Sequence, residues 1–302
     1  MLPRGSVRAR TLPRYAWRDV KNESIPDDAP VAGSGAPAPE PVTALVLAGG
    51  DASDALAAAV GAPAKALVPL KGRPLGAYVL DALHEAVSVR RIVWVGAADA
   101  EMRARVDLVV PGGPRLADSL AIGLGAVAAD GTGGDRLLLV SADIPWLGAD
   151  NVDRFVAEAG TQHDLVYPVV SRGACEAAFP SLSRTWVRLA GGEVTGGNVL
   201  LARPETLRAL LPWVDLATRD RKAPVRLAWR LGPGVLISLL TGRATLPMLE
   251  ARVGRLLGAE VRAIASDDAT LGSDIDRIEQ LPATLRLSEG SDPVRRDESR
   301  PA

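Results

Sequence analysis

Four places in the sequence set polar residues at the ends of apolar runs. The run Arg136-Leu137-Leu138-Leu139-Val140 is followed within three residues by Asp143, then by Ile144-Pro145. A carboxylate just beyond a central strand suits Mg²⁺, which is often held by one or two carboxylates plus substrate phosphates; the same residue could cap or turn the chain before Pro145. Leu45-Val46-Leu47-Ala48 runs into Gly49-Gly50, so a buried strand ends in a loop whose backbone N–H groups can approach a phosphate closely. Lys65, a short loop away, can add a point charge. An ordinary glycine turn would look the same. Asp274 and Asp276 are spaced i, i+2 and share a side if the backbone is extended; they could equally cap a helix at Arg277. Thr195-Gly196-Gly197-Asn198 sets a hydroxyl and an amide beside two glycines, as a ligand contact or a hairpin turn would. Together the four supply backbone donors, a cation and metal-ligating carboxylates, the needs of phosphoryl or nucleotidyl transfer.

Other chemistries lack their residues. There is no Gly-x-x-x-x-Gly-Lys-Ser/Thr, no Gly-x-Gly-x-x-Gly after the first strand, and no Gly-x-Ser-x-Gly. Cys175 is the single cysteine, which excludes an internal disulfide and a thiolate metal cluster and suggests a reducing cytoplasm. Only His84 and His163 are available as imidazole ligands. Acidic and basic residues number 36 and 35, a balance that argues against a nucleic-acid partner. No apolar run reaches the roughly 20 residues of a membrane span. Residues 1–17 carry arginines but no apolar stretch of a secretory signal.

The elements that must position these groups follow from the hydrophobic pattern. Residues 42–47, 91–95, 106–110, 136–140 and 164–170 read as strands, and 75–86, 116–129 and 149–159 as helices between them. The alternation predicts an α/β fold: three layers, Rossmann-like, a mostly parallel mixed sheet with helices on both faces. In such sheets ligands bind at the carboxyl ends of strands, where Gly49-Gly50 and Asp143 lie. After residue 170, short strands are expected at 184–189 and 199–202, then a strongly apolar helical insertion at 206–258 broken by Pro212, Pro224, Pro233 and Pro247. A strand at 259–264 and a helix at 277–281 complete the pattern. Composition places a disordered N-terminal tail at 1–40, one domain at 41–287, and a solvated, disordered tail at 288–302.

These residues resemble a known family. Leu45-Val46-Leu47-Ala48-Gly49-Gly50, then Lys65-Ala66-Leu67-Val68-Pro69-Leu70-Lys71-Gly72-Arg73-Pro74-Leu75, is similar to the opening signature of the nucleotidyltransferases. The nearest in kind are the molybdenum cofactor guanylyltransferase-like enzymes and the cytidylyltransferase of methylerythritol phosphate, of nucleotide-diphospho-sugar transferase fold. The resemblance implies nucleotide contacts at Leu47, Ala48, Gly49, Gly50 and Lys65, and catalytic parts for Lys65 and Asp143. Asp143 matches the family's strand-end aspartate, which holds Mg²⁺. Asp274-Ile275-Asp276 resembles a late segment that supplies a second metal ligand, with either aspartate open. Gly112-Gly113-Pro114-Arg115, with Asp118-Ser119 and Gly123-Leu124, is similar to the base-recognition loop and its helix, which adds Gly113 and Ser119. Thr195-Gly196-Gly197-Asn198 sits where the wider fold contacts the acceptor. One departure stands out: the arginine usual a few residues after Gly-Gly is missing, and Asp51 and Asp54 stand there instead. Lys71 or Arg73 could replace it, or a cradle of backbone N–H groups alone could serve.

The resulting expectation is a cytoplasmic, Mg²⁺-dependent nucleotidyltransferase. It would move a nucleoside monophosphate from GTP, CTP or another triphosphate to a phosphate or hydroxyl of an unidentified small acceptor, releasing pyrophosphate. The helical stretch 206–258 would form one wall of the acceptor pocket, and a homodimer is left open. The alternative is a catalytically weak or inactive nucleotide-binding or regulatory module of the same fold.

Overall fold

A computed structural model of the protein describes residues 41–131, 134–182, 184–219 and 224–280. The expected tails at 1–40 and 288–302 lie outside the described residues.

In chain order the elements begin with β1 (Val42–Ala48), α1 (Ala55–Val60), the short hairpin β2 (Pro69–Leu70) and β3 (Arg73–Pro74), and α2 (Leu75–Glu85). They continue with β4 (Val89–Gly96), α3 (Ala100–Ala104), β5 (Leu108–Val110), α4 (Leu116–Asp130), β6 (Leu137–Ser141), α5 (Ala149–Ala159), β7 (Leu165–Ser171) and α6 (Arg172–Ala178). Next come β8 (Val187–Leu189), β9 (Gly192–Gly196), β10 (Val199–Ala202), α7 (Pro204–Arg219), α8 (Pro224–Leu231), α9 (Pro233–Leu240), α10 (Leu246–Leu257) and β11 (Val261–Ser266).

Nine strands form one mixed sheet in the order β5-β4-β1-β6-β10-β7-β9-β8, with β11 on β7. Strands β5, β4, β1 and β6 are parallel neighbours, and β10 enters antiparallel between β6 and β7. The period-2 alternation of side chains divides each central strand between two cores. Ala44 and Val46 of β1, with Leu138 and Val140 of β6, face α2 and α5. Leu45 and Leu137 face α4 and α7. A strand buried on both faces reads as continuously apolar, which is why β6 was legible as central.

Several expectations need correction. The helix expected at 277–281 is a 3₁₀ turn, Ile278–Gln280, with Leu281 outside the described residues. Pro212 does not break α7, which runs through it. Pro212 is exposed, so the missing N–H and the ring are accommodated on the solvent side. Pro224, Pro233 and Pro247 start helices instead of ending them, because a first-turn N–H has no intrahelical partner to lose. The hairpin alternative for Thr195-Gly196-Gly197-Asn198 fails as well. Gly196 pairs with Val169 and Leu201 with Val166, both antiparallel along one edge of β7. Residues 197–200 therefore oppose only residues 167–168: the segment is a bulge between two strands lying on the same neighbour. Opposite it, Pro168 has no N–H to give, and its carbonyl accepts from Gly197 N at 2.9 Å.

Gly96 closes β4 with φ +136, and a Cβ there would lie 2.1 Å from the Ala48 carbonyl oxygen. The ends of β1 and β4 can approach this closely only at a glycine. Gly96→Ala should therefore lower stability by about 2 kcal/mol through strain and overpacking. Urea unfolding measures it, and an unchanged midpoint would contradict the close approach.

Candidate active site

The carboxyl ends of β1, β4 and β6 converge on one edge. Ala142 N donates to Leu47 O at 3.1 Å, tying the end of β6 to the end of β1. Beyond β1, Gly49 and Gly112 come together: the two Cα positions face one another, and Ser119 Oγ lies against both. Gly113 N donates to Ser119 Oγ at 3.0 Å. Gly49, Gly113 and Ser119, chosen for nucleotide contact, are thus one cluster in space. Leu47 and Ala48 are its strand floor, and Gly50 is exposed with φ +98.

Asp51 and Asp54, the acids in place of the arginine, are engaged locally. Asp54 caps α1, accepting from Leu56 N and Ala57 N at 3.0 and 3.2 Å. Asp51 accepts from Ser53 N and Ser53 Oγ, and these hydrogen bonds hold its carboxyl below the ordinary value. Of the candidate replacements, Arg73 pairs with Asp81 at 2.7 Å and lies over the Tyr78 ring. Lys71 stands in the hairpin turn with φ 50.

Beside the glycine cluster lies an acidic group. Lys65 opens a 3₁₀ turn, Lys65–Leu67, and its Nζ lies 2.5 Å from both Asp143 Oδ2 and Asp276 Oδ1. Ile275 N donates to Asp143 O at 3.1 Å, which stitches the late segment to the end of β6. One carboxylate oxygen from each of Asp143, Asp274 and Asp276 lies within 4.8 Å of the others. Burial, and then the charges of Asp143 and Asp276, push the Asp274 carboxyl up to about 6 against the opposing pull of Lys65. Burial works against the Lys65 ammonium, but Asp143 and Asp276 outweigh it and its pKa is raised. The three crowded carboxylates make a hard, all-oxygen donor set of the kind that suits Mg²⁺. Both members of the Asp274–Asp276 pair reach this group, so the structure does not single out one of them.

Asn198 O accepts from Ser141 N at 3.0 Å, and Asn198 N donates to Leu271 O at 2.6 Å. These bonds bring the bulge beside Asp143 and the late segment. The glycine cluster, Lys65, the three aspartates and the bulge therefore meet at one sheet edge, whereas Arg73 is engaged by Asp81 and Lys71 stands in the hairpin turn.

Three contributors escaped the sequence. Ser141 Oγ donates to Asp143 Oδ1; its place two residues before the aspartate was the only signal. Arg184 donates to Gly272 O and, at 2.7 Å, to Ser273 Oγ, anchoring the chain just before Asp274; a lone loop arginine gives no sequence signal. Tyr167 is partly buried, and a Cβ on Gly196 would sit 2.1 Å from its hydroxyl. Burial and the charge of Asp274 raise its pKa to about 12, so it stays a neutral donor beside the bulge.

The family model described as MobA-like NTP transferase domain matches residues 44–231. The chain belongs to this family. It is an NTP transferase, an enzyme of nucleotidyl transfer. Among solved structures it resembles a hypothetical transferase from Thermus thermophilus at 38% identity, over 80% of this chain and 99% of that one, with TM-score 0.69. It also aligns with a nucleotidyl transferase from Methanothermobacter at 21% identity, 79% and 93% coverage and TM-score 0.46. The 4-diphosphocytidyl-2C-methyl-D-erythritol synthase from Anaerococcus prevotii aligns at 10% identity, 80% and 94% coverage and TM-score 0.47. No curated protein matches the sequence.

The raised Asp274 value has a pH consequence. The folded chain binds that proton more tightly than the unfolded one, whose value is near 3.8. The resulting stability is present below the unfolded value and is lost as pH rises through about 6. In chelator, the wild type should lose about 2 kcal/mol relative to Asp274→Asn between about pH 4 and pH 7. Mg²⁺ should close the gap at the upper end. Parallel stability–pH curves for the two proteins would contradict the crowding.

Proposed function

We propose that this NTP transferase moves a nucleoside monophosphate from a nucleoside triphosphate to a phosphate or hydroxyl oxygen of a small acceptor, with Mg²⁺ and release of pyrophosphate. The observation that carries the proposal is the meeting of Lys65 with Asp143 and Asp276 beside the glycine cluster. Backbone N–H groups of residues 48–50 would cradle the phosphates, and Ser119 with Gly113 would border the base. Asp143, Asp274 and Asp276 would hold Mg²⁺, which when bound neutralises charge developing on the phosphates. The Lys65 ammonium would move between its carboxylates and the triphosphate, adding charge where pyrophosphate departs. An acceptor oxygen attacks the α-phosphorus, the bond to the bridging oxygen of the β-phosphate breaks, and that oxygen leaves with pyrophosphate; a phosphate oxygen attacks as the anion, and a hydroxyl gives its proton to solvent. Ser141 would hold the Asp143 carboxylate in register, and Arg184 the segment carrying Asp274 and Asp276. Thr195-Gly196-Gly197-Asn198 and Tyr167 would face the acceptor. Leu239, Leu246, Met248 and Leu249 pack with Tyr167 over β7 to β9, which supports a wall from α9 and α10 on that side.

A second reading is a nucleotide-binding module with weak or no turnover. It is favoured by the negative, locally hydrogen-bonded Asp51 in place of the loop arginine. Pyrophosphate release, measured with each of the four triphosphates against phosphorylated and hydroxylic acceptors, separates the two. Asp143→Asn should lower Mg²⁺-dependent release on the order of a hundredfold or more while leaving the fold intact. Wild-type turnover in that variant would remove Asp143 from the site, and triphosphate binding without release in the wild type would favour the second reading.

A further inference from the structure

The α8–α9 pair leaves four apolar residues exposed. Val225 and Trp229 of α8 are 56% and 61% exposed, and Ile237 and Leu240 of α9 are 61% and 70% exposed. The two helices pack on one another, so these side chains belong to one region of the surface. On α8 the apolar pair Val225 and Trp229 is spaced i, i+4, and so is the exposed pair Arg226 and Arg230. Residues four apart lie on one face, so an apolar stripe runs beside a cationic one. Neither helix holds an acidic residue, and residues 224–257 carry five arginines against one glutamate in a chain of net charge −1.

We infer that α8 and α9 form a docking surface for an anionic lipid bilayer. An apolar helical face bordered by arginines, with a tryptophan at its edge, matches the layered chemistry of a membrane interface: acyl carbon below, anionic headgroups above. Among the described residues no helix is long and apolar enough to cross a membrane, so the contact is peripheral. Charge selects this occupant over a second copy of the chain. A symmetric pairing of two copies through this patch brings its arginines against like charge. None of these side chains belongs to the acidic or glycine cluster, and α8 stands outside the acceptor wall proposed for α9 and α10.

The test is co-sedimentation of the full chain with vesicles of phosphatidylcholine alone or mixed with phosphatidylglycerol. The protein should pellet with the mixed vesicles, stay in the supernatant with phosphatidylcholine alone, and detach at high salt. Trp229→Asp and Val225→Asp, both in α8, should each lose most of the pelleted fraction with pyrophosphate release unchanged, and Arg226→Glu with Arg230→Glu should do the same. Hydrogen exchange of the wild type provides a readout free of folding effects: vesicles should protect residues 224–240. Retention in the supernatant with mixed vesicles, pelleting indifferent to these substitutions, or no protection of 224–240 overturns the inference. So does a dimer that Trp229→Asp converts to monomer, which would give the face to a second copy.

Discussion

Three carboxylates share a few ångströms of space with one ammonium, and the rest of the site depends on that balance. Asp143, Asp274 and Asp276 repel one another, and Lys65 neutralises only part of their charge. Burial, and then that remaining excess, push the Asp274 carboxyl to hold its proton toward neutrality. Such a cluster is unstable unless the backbone compels it. The compulsion comes from the bond between Ile275 N and Asp143 O, from Arg184 on Gly272 and Ser273, and from Ala142 N on Leu47 O. Structure is being used here to hold like charges together, which is the arrangement a divalent cation rewards.

The sheet makes this possible by keeping its chemistry off its faces. Both faces of β1 and β6 are spent on the two cores, so polar function is left to the strand ends. The antiparallel entry of β10 between β6 and β7 brings Asn198 to the same edge. The bulge at residues 197–200 and Pro168 opposite interrupt the regular ladder where Tyr167 and the late segment meet.

Much of this was legible in the sequence because it rested on local rules. The apolar run of β6 announced a central strand, and Gly49-Gly50 and Asp143 announced the edge at which the candidate site lies. The family resemblance of those motifs brought Ser119 and the late aspartates into the same site. What escaped were features decided by distant parts of the chain. Thr195-Gly196-Gly197-Asn198 reads as a ligand contact or a hairpin turn, because its neighbour β7 lies far away in sequence, and only the register reveals a bulge. The prolines of 206–258 read as breaks because a helix start and a helix stop use the same residue. Arg184 gave no signal, since its partners are 88 and 89 residues away.

The central claim is that the acidic group and the glycine cluster form one triphosphate site through a shared divalent cation. Calorimetric titration of nucleoside triphosphate into the wild type, with Mg²⁺ and then with excess chelator, tests it most directly. The account predicts saturable binding with Mg²⁺ that is lost in chelator, because four phosphate charges would then face three carboxylates. Equal affinity in the two conditions would contradict it.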